Sequence, residues 1–299
     1  MKSILSFLFL SLFFSVFIQA QAYIKVGGGY GFSVNTEQFT NPSLSYITDS
    51  TGVDSLFSNT NTYGSLGAGG QIKLSGGYVF QQNFGFDLEM HYLFGQKKMV
   101  QEIIKPGNRT EMYYAYTQQF RLAPSFFVRA NKGIVQPYAG AGIVLPLAGY
   151  TYLEYQKTDP NLDLSFTQVR RVSGSPTVGF EGYIGAQVKW PNENFNFFFE
   201  VRYTGLRIKS KSAEMIQWDE VKLSTGEVTN ELETASVFNT QIQFVDEINN
   251  NSNASVFSGG FLVSPDLNKP MEKLASSTNF NTLQFNLGIC IQFTKKENK

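Results

Sequence analysis

The strongest constraint on the fold is a strict alternation of large apolar residues with small or polar ones near the end of the chain. The apolar positions are Leu283, Phe285, Leu287, Ile289, Ile291 and Phe293. The positions between them are Thr282, Gln284, Asn286, Gly288, Cys290 and Gln292. Successive side chains of a β-strand point to opposite faces, so this period of two predicts a strand with one apolar and one polar face.

The same period recurs along the chain, which predicts a repeated β architecture. Strand-like segments lie near 24–34, 71–80, 84–94, 119–129, 135–150, 178–190 and 195–204, and tight polar turns lie at 81–83, 131–133 and 191–194. Two terminal strands and three hairpins predict eight antiparallel strands in an up-and-down barrel. Residues 238–244 are also strand-like, so a barrel of ten strands is the alternative. Pro124 and Pro146 fall inside predicted strands and require a bulge there.

Long polar segments separate the hairpins at 35–70, 97–113, 155–171 and 211–277. Short turns on one side and long loops on the other are typical of a transmembrane barrel of the bacterial outer membrane, with both chain ends in the periplasm. The apolar faces then contact lipid. After the first residues of the chain, no run approaches the ~20 consecutive apolar residues that a membrane helix needs.

The beginning of the chain predicts export. Lys2 precedes an apolar run over residues 4–18, and the small-residue segment Gln19-Ala20-Gln21-Ala22 follows. This order indicates a signal peptide at 1–22, a barrel domain at 23–294 with the four long loops outside the cell, and a periplasmic tail at 295–299. A membrane anchor is the alternative interpretation of the apolar run. Cys290 is the only cysteine, so an intrachain disulfide cannot stabilise the exported protein.

The predicted inward faces carry charges of both signs, which form a candidate lumen network. Its members are Lys25, Lys73, Asp87, Glu89, Arg121, Arg129, Glu181, Lys189, Glu200 and Arg202. An eight-stranded barrel is just wide enough for side chains to fill. We therefore expect these groups to pair across the lumen as a polar core. A gated path for ions or small solutes is the alternative, and unpaired Lys25, Lys73 and Arg129 would favour it.

Catalysis, metal binding and nucleic-acid binding are not expected. His91 lies two residues from Glu89, but no nucleophile elbow accompanies the pair. One histidine and one cysteine make a transition-metal site improbable, and the glycines at 27–31 lack the helix and lysine of a nucleotide site. The formal net charge of zero gives no global attraction for nucleic acid, and no cofactor is predicted.

Three motifs carry a family resemblance. Tyr30-Gly31-Phe32, the segment Pro137-Tyr138-Ala139-Gly140-Ala141-Gly142, and a last strand ending on Phe293 resemble the OmpA-like outer-membrane β-barrel superfamily. The "porin family" and outer membrane beta-barrel proteins of Gram-negative Bacteroidetes are the closer match. The resemblance implies that Phe293 is an assembly signal read by the barrel assembly machinery. The apolar outer faces predict outer-membrane lipid as a partner, and the long acidic loop 211–277 makes cations, a basic partner or a host surface candidate extracellular ligands.

The predicted function follows from the loops. The segment 211–277 holds ten acidic and four basic residues. Outward loops on a rigid scaffold are where recognition usually resides. We expect a structural or surface-recognition scaffold that acts through its extracellular loops, and a narrow porin is the alternative.

Overall fold

The protein is an all-β structure. The computed structural model describes residues 21–34, 36–39, 41–48, 53–80, 83–191, 194–249, 251–254, 257–258, 261–262 and 265–293. The strands are β1 (Gln21–Ser33), β2 (Glu37–Gln38), β3 (Ser43–Thr48), β4 (Asp54–Thr60), β5 (Tyr63–Gly64), β6 (Gly69–Phe80), β7 (Phe84–Gly95), β8 (Lys98–Lys105), β9 (Arg109–Arg129), β10 (Val135–Asp159), β11 (Leu164–Gly174), β12 (Gly179–Lys189), β13 (Phe195–Gly205), β14 (Arg207–Lys222), β15 (Val228–Asn230), β16 (Gln241–Val245), β17 (Phe257–Ser258), β18 (Phe261–Leu262), β19 (Met271–Leu274), β20 (Ser277–Asn279) and β21 (Thr282–Phe293). One helix, α1 (Val237–Thr240), and two 3-10 turns, Pro160–Leu162 and Glu231–Glu233, complete the described elements.

The predicted signal peptide and tail lie largely or wholly outside this part of the chain. Residues 1–20 and 294–299 are not among the described residues, so both assignments stay predictions. Within the described ranges, none of the helices has the length and apolar character needed to cross a membrane.

Eight long strands are joined by successive antiparallel pairings. β1 pairs with β6, β6 with β7, β7 with β9, and β9 with β10. β10 then pairs with β12, β12 with β13, β13 with β21, and β21 with β1. These eight are called the ring strands. The ring strands include the segments that the sequence predicted to be strands. Along each ring strand, side chains alternate between a buried face and an exposed face.

The whole sheet has 17 strands, so the predicted number of eight was too low. The extra strands come from the long loops. β3 and β4 form a hairpin within 35–70, β8 pairs with the first part of β9, and β11 pairs with β10 and β14. The predicted polar loops are therefore largely β-structured, because each long excursion satisfies its backbone by pairing with its neighbours.

The bulge expected at Pro146 is confirmed, since the register between β9 and β10 shifts between Pro146 and Ala148. The expectation of a bulge at Pro124 was wrong, because Pro124 pairs with Leu88 and the register between β7 and β9 continues unshifted through it. Residues Gln241–Val245 do form a strand, but β16 pairs with β14 and in parallel with β19. It does not join the ring strands, which contradicts the ten-strand alternative.

The sheet continues well beyond the ring at the loop end. β9 has 21 residues and β10 has 25, whereas a strand needs about 9–11 residues to cross a bilayer. The first part of β9 and the last part of β10 pair with each other and with β8 and β11. This loop-end part of the sheet, formed with β14, β16, β19 and β20, is called the outer extension.

Candidate functional site

A layer of aromatic rings fills the ring interior at the short-turn end. Tyr23, Phe127, Tyr138, Tyr183 and Phe198 pack with Val79 and Cys290 in one buried cluster. Each ring lies over a glycine of a nearby strand, and a Cβ at Gly85 would lie 2.2 Å from Phe127 Cζ. The inward glycines therefore provide the space that the rings occupy.

A buried charge network lies above the aromatic layer. Arg202 is its centre, with Nη1 2.7 Å from Glu89 Oε1 and 2.8 Å from Glu181 Oε1, and Nη2 2.9 Å from Glu200 Oε1. Lys73 Nζ lies 2.8 Å from Glu200 Oε1 and 3.2 Å from Glu89 Oε2. These five side chains are at most 4% exposed, so the network is removed from bulk water.

A second buried ion pair lies beside the aromatic layer. Lys25 Nζ lies 2.7 Å from Asp87 Oδ2 and within 5.3 Å of the ring centroids of Tyr23, Phe127 and Tyr138. A cation over an aromatic face is stabilised by the ring quadrupole. Lys25 and Lys73 are thus both matched, which removes two of the three observations that would have favoured an open polar path.

Arg121 is one of two arginines in the predicted set that are incompletely paired among the described residues, and Arg129 is the other. The side chain of Arg121 is fully buried and Nε donates to Gln119 Oε1 at 2.6 Å, but Nη1 and Nη2 have no hydrogen-bond partner among the described residues. His91 is its register neighbour on β7, and His91 Nδ1 lies 3.3 Å from Glu89 Oε1. The histidine is thus enclosed in the charged layer rather than placed at an outer rim.

The two remaining cations lie near the short-turn end. Arg129 is buried and Nη2 donates to Gln21 Oε1 at 3.2 Å, without an ion pair in the described part of the chain. Lys189 was predicted in the network, and this was wrong. It is exposed at the end of β12, because its strand has reached the level of the turn at that residue.

Amides and hydroxyls occupy the lumen on the loop side of the charges. Gln71 Nε2 donates to Gln284 Oε1 at 2.7 Å and to Asn286 Oδ1 at 2.8 Å, and Gln284 donates to Thr282 Oγ1 at 3.0 Å. All four side chains are buried. The polar face of the last strand, which the sequence predicted to point inward, is therefore used in a hydrogen-bonded layer.

An apolar cluster covers the loop end of the lumen. Leu66, Ala115, Leu206, Ile208 and Phe280 are buried together, and partly buried Phe39 and Val100 pack against them. Asn281 holds two of the covering segments, since its Oδ1 accepts from the Leu206 backbone N–H and its carbonyl accepts from the hydroxyl of Ser65. We refer to this cluster as the apolar cap.

A cavity of about 1220 Å³ lies in the outer extension, with the apolar cap at its base. Its walls come from the loop-end parts of β9, β10, β11 and β14 and from β16, β19 and β20. Apolar and aromatic side chains contribute much of the lining, including Val100, Tyr113, Leu153, Ile242, Phe244 and Phe280. The volume exceeds the ~300–1,000 Å³ range of typical small-molecule sites.

Two cations line this cavity. Arg170 is half-buried on β11 and Lys273 is exposed on β19, and no ion pair to either is found within the described ranges. Burial lowers the pKa of Arg170, and partial desolvation of the ammonium together with the charge of Arg170 lowers the pKa of Lys273. The acidic lining residue Glu154 is already paired, with Oε2 2.7 Å from Lys97 Nζ.

The charge network lies on strands with a clear alternation, whereas the cavity is formed in part by segments that were predicted to be loops. Arg170 falls in the predicted loop 155–171 and Lys273 in the predicted loop 211–277, and both were interpreted as parts of solvated segments. Residues 168–172 have no regular alternation of apolar and polar side chains, so no local signal predicts β11 there. The shared position of Arg170 and Lys273 depends on three pairings between distant segments: β11 with β14, β14 with β16, and β16 with β19.

The described residues contain no group of three or more histidine, cysteine, aspartate or glutamate side chains arranged to hold a metal ion. No curated protein matches the chain. Residues 6–237 match the family described as outer membrane protein beta-barrel domain, which covers most of the sequence. The chain therefore belongs to the outer membrane protein beta-barrel domain family and is a protein of the bacterial outer membrane.

Proposed function

We propose that the ring strands form a closed, eight-stranded, membrane-spanning barrel that does not conduct and that supports an extracellular recognition surface. One observation carries this proposal: within the described residues, buried side chains occupy the lumen in successive layers. Aromatic rings, the charge network centred on Arg202, an amide layer and the apolar cap follow one another from the short-turn end to the loop end. A barrel of this size has no room for a channel beside such side chains.

The outward faces of the ring strands support a position within lipid. Phe126 is 67% exposed, Leu287 is 68% exposed, and Ile72 and Ile184 are exposed in the same way. In water this apolar surface would be unfavourable, whereas a bilayer solvates it. The outer extension is then the part of the protein that stands outside the membrane, and the short turns face the periplasm.

The other functional assignments follow from this placement. We infer that the protein belongs to the OmpA-like branch, that Phe293 at the end of β21 is its assembly signal, and that it is not an enzyme. The partners are lipid, the barrel assembly machinery, and a ligand or host surface that meets the outer extension. Nucleic acid is not a partner, since the chain has no net positive charge.

A narrow porin is the second candidate, and two arginines favour it. Arg129, one of the three cations whose unpaired state would favour a polar path, has no ion pair among the described residues. Arg121 has two buried nitrogens without a hydrogen-bond partner in the same part of the chain, as expected for groups that contact water in a polar path. The matching of Lys25 and Lys73 argues the other way.

Conductance of the folded protein in a planar bilayer distinguishes the two candidates. A heat-shift gel first confirms that the preparation is folded, and a general porin added to the same membrane afterwards serves as the positive control. The scaffold proposal predicts a silent bilayer for the wild type. Single-channel steps whose selectivity changes in Glu200→Gln would refute it and make the protein a porin.

A further inference from the structure

We propose that the cavity of the outer extension binds a long-chain carboxylate, with Arg170 and Lys273 on the head group and the apolar lining on the chain. This inference rests on the proposed function in one respect, namely that the outer extension stands outside the membrane. It adds a ligand class and a site to the general role of surface recognition.

The shape and chemistry of the lining suit an acyl chain. The cavity has a volume of about 1220 Å³ and its base is the apolar cap, where Leu66, Ile208 and Phe280 meet. Ile242, Phe244 and Leu153 extend the apolar surface up the walls. An acyl chain gains free energy in proportion to the apolar area it removes from water, at about 25 cal/mol per Å².

The lining of the cavity carries unpaired positive charge. Arg170 and Lys273 both line it, and no described residue forms an ion pair with either. Arg170 is half-buried and Lys273 is exposed, so an anion in the cavity can reach both cations from solution and reduce their mutual repulsion. The planar guanidinium also donates two parallel hydrogen bonds to a carboxylate, which a neutral head group cannot accept in the same way.

Arg171, next to Arg170 in the chain, shows that the lack of an ion pair is specific to the cavity side of β11. Arg171 lies on the opposite face of β11, where Nη2 is 2.8 Å from Glu214 Oε2 and the guanidinium lies 4.6 Å from the Tyr150 ring centroid. One of two consecutive arginines is therefore neutralised by a carboxylate of the protein, and the other faces the cavity without one. A carboxylate from solution fits the second position.

The test measures binding of palmitate to the full-length protein in nanodiscs of zwitterionic phospholipid, and the titration of empty nanodiscs is subtracted. Isothermal titration compares palmitate with hexadecanol, which has the same chain and no charge, and with acetate, which has the charge and no chain. We expect palmitate to bind at least tenfold more tightly than hexadecanol and acetate not to bind detectably. Equal binding of palmitate and hexadecanol, or no binding of palmitate, would overturn the inference.

The variants assign the effect to the two cations. Arg170→Gln and Lys273→Gln should each weaken palmitate binding by about tenfold and leave hexadecanol binding unchanged. Arg171→Gln is the matched control and should bind palmitate as the wild type does. An equal loss in Arg171→Gln would mean that only the general charge of the surface matters, which would contradict the assigned site. The heat-shift gel shows that each variant is folded.

The same preparations separate this inference from the proposed function. A silent bilayer with no palmitate binding overturns the cavity assignment alone. Conducting steps overturn the scaffold proposal whether or not palmitate binds.

Discussion

Replacing Arg202 with methionine should strongly destabilise the barrel, because three carboxylates share this one guanidinium. Arg202 is 2% exposed and contacts Glu89, Glu181 and Glu200 at 2.7–2.9 Å. Methionine keeps an unbranched apolar chain in place, so the change removes charge and hydrogen bonds more than volume. In the described network Lys73 would then be the only cation left for three acids, and Glu181 would lose its only ion pair.

The expected loss is about 3–5 kcal/mol, as for removing one partner of a buried ion pair. The cost of protonating the unpaired carboxylate has a similar size. A buried glutamate without an ion pair loses its charge when it takes up a proton, and protonating an ordinary glutamate at pH 7 costs about 3.7 kcal/mol. Because this cost falls with pH, the difference between wild type and variant should shrink toward pH 5.

Arg121→Met is the matched control, since Arg121 is equally buried but is held by one hydrogen bond to Gln119. Its replacement should change the free energy of unfolding by less than about 1 kcal/mol, or stabilise the protein. Urea unfolding in phospholipid vesicles, followed by tryptophan fluorescence and the heat-shift gel, measures both variants. Equal losses in the two variants would refute the argument that pairing within the network determines lumen stability.

Three further predictions concern other parts of the molecule. Cys290 is 1% exposed, so a maleimide should label it only after heat denaturation, and labelling of the folded protein would contradict a filled lumen. A Cβ at Gly288 would lie 2.2 Å from the Val26 carbonyl and 2.7 Å from Phe198, so Gly288→Ala should lower the free energy of unfolding by about 1–3 kcal/mol in the same urea assay. The pKa of Lys273 is lowered, so the unfolded state binds more protons between the folded and ordinary values, and stability without ligand should rise with pH through that window. Lys273→Gln should abolish this rise in pH-dependent melting curves, and a rise that persists would assign it to another group.

Much of the ring could be predicted because its strands obey a local rule. In a strand with lipid on one side and a packed interior on the other, apolar and polar side chains alternate. The positions of Leu287 and Asn286 in this alternation are therefore enough to predict which face each side chain lies on. The same rule identified Lys25, Lys73 and Arg202 as inward residues. The rule was wrong for Lys189, because alternation predicts the face of a side chain but not whether neighbouring side chains bury it at the end of a strand.

The loops were harder to predict because their pairing is not local. Lys98–Lys105 and Leu164–Gly174 form strands by hydrogen-bonding to the ends of β9, β10 and β14, and their polar composition hid this. Propensity is a weak guide where a partner strand supplies the stabilisation.

The all-β class, the sidedness of the long strands and the presence of both charge signs in the lumen can be predicted from local patterns in the sequence. The matching of individual charges, the incomplete pairing of Arg121 and Arg129, and the position of Arg170 and Lys273 on one cavity follow from the fold. Side-chain alternation depends on neighbours along the chain, whereas an ion pair or a cavity depends on the distance between segments that are far apart in sequence.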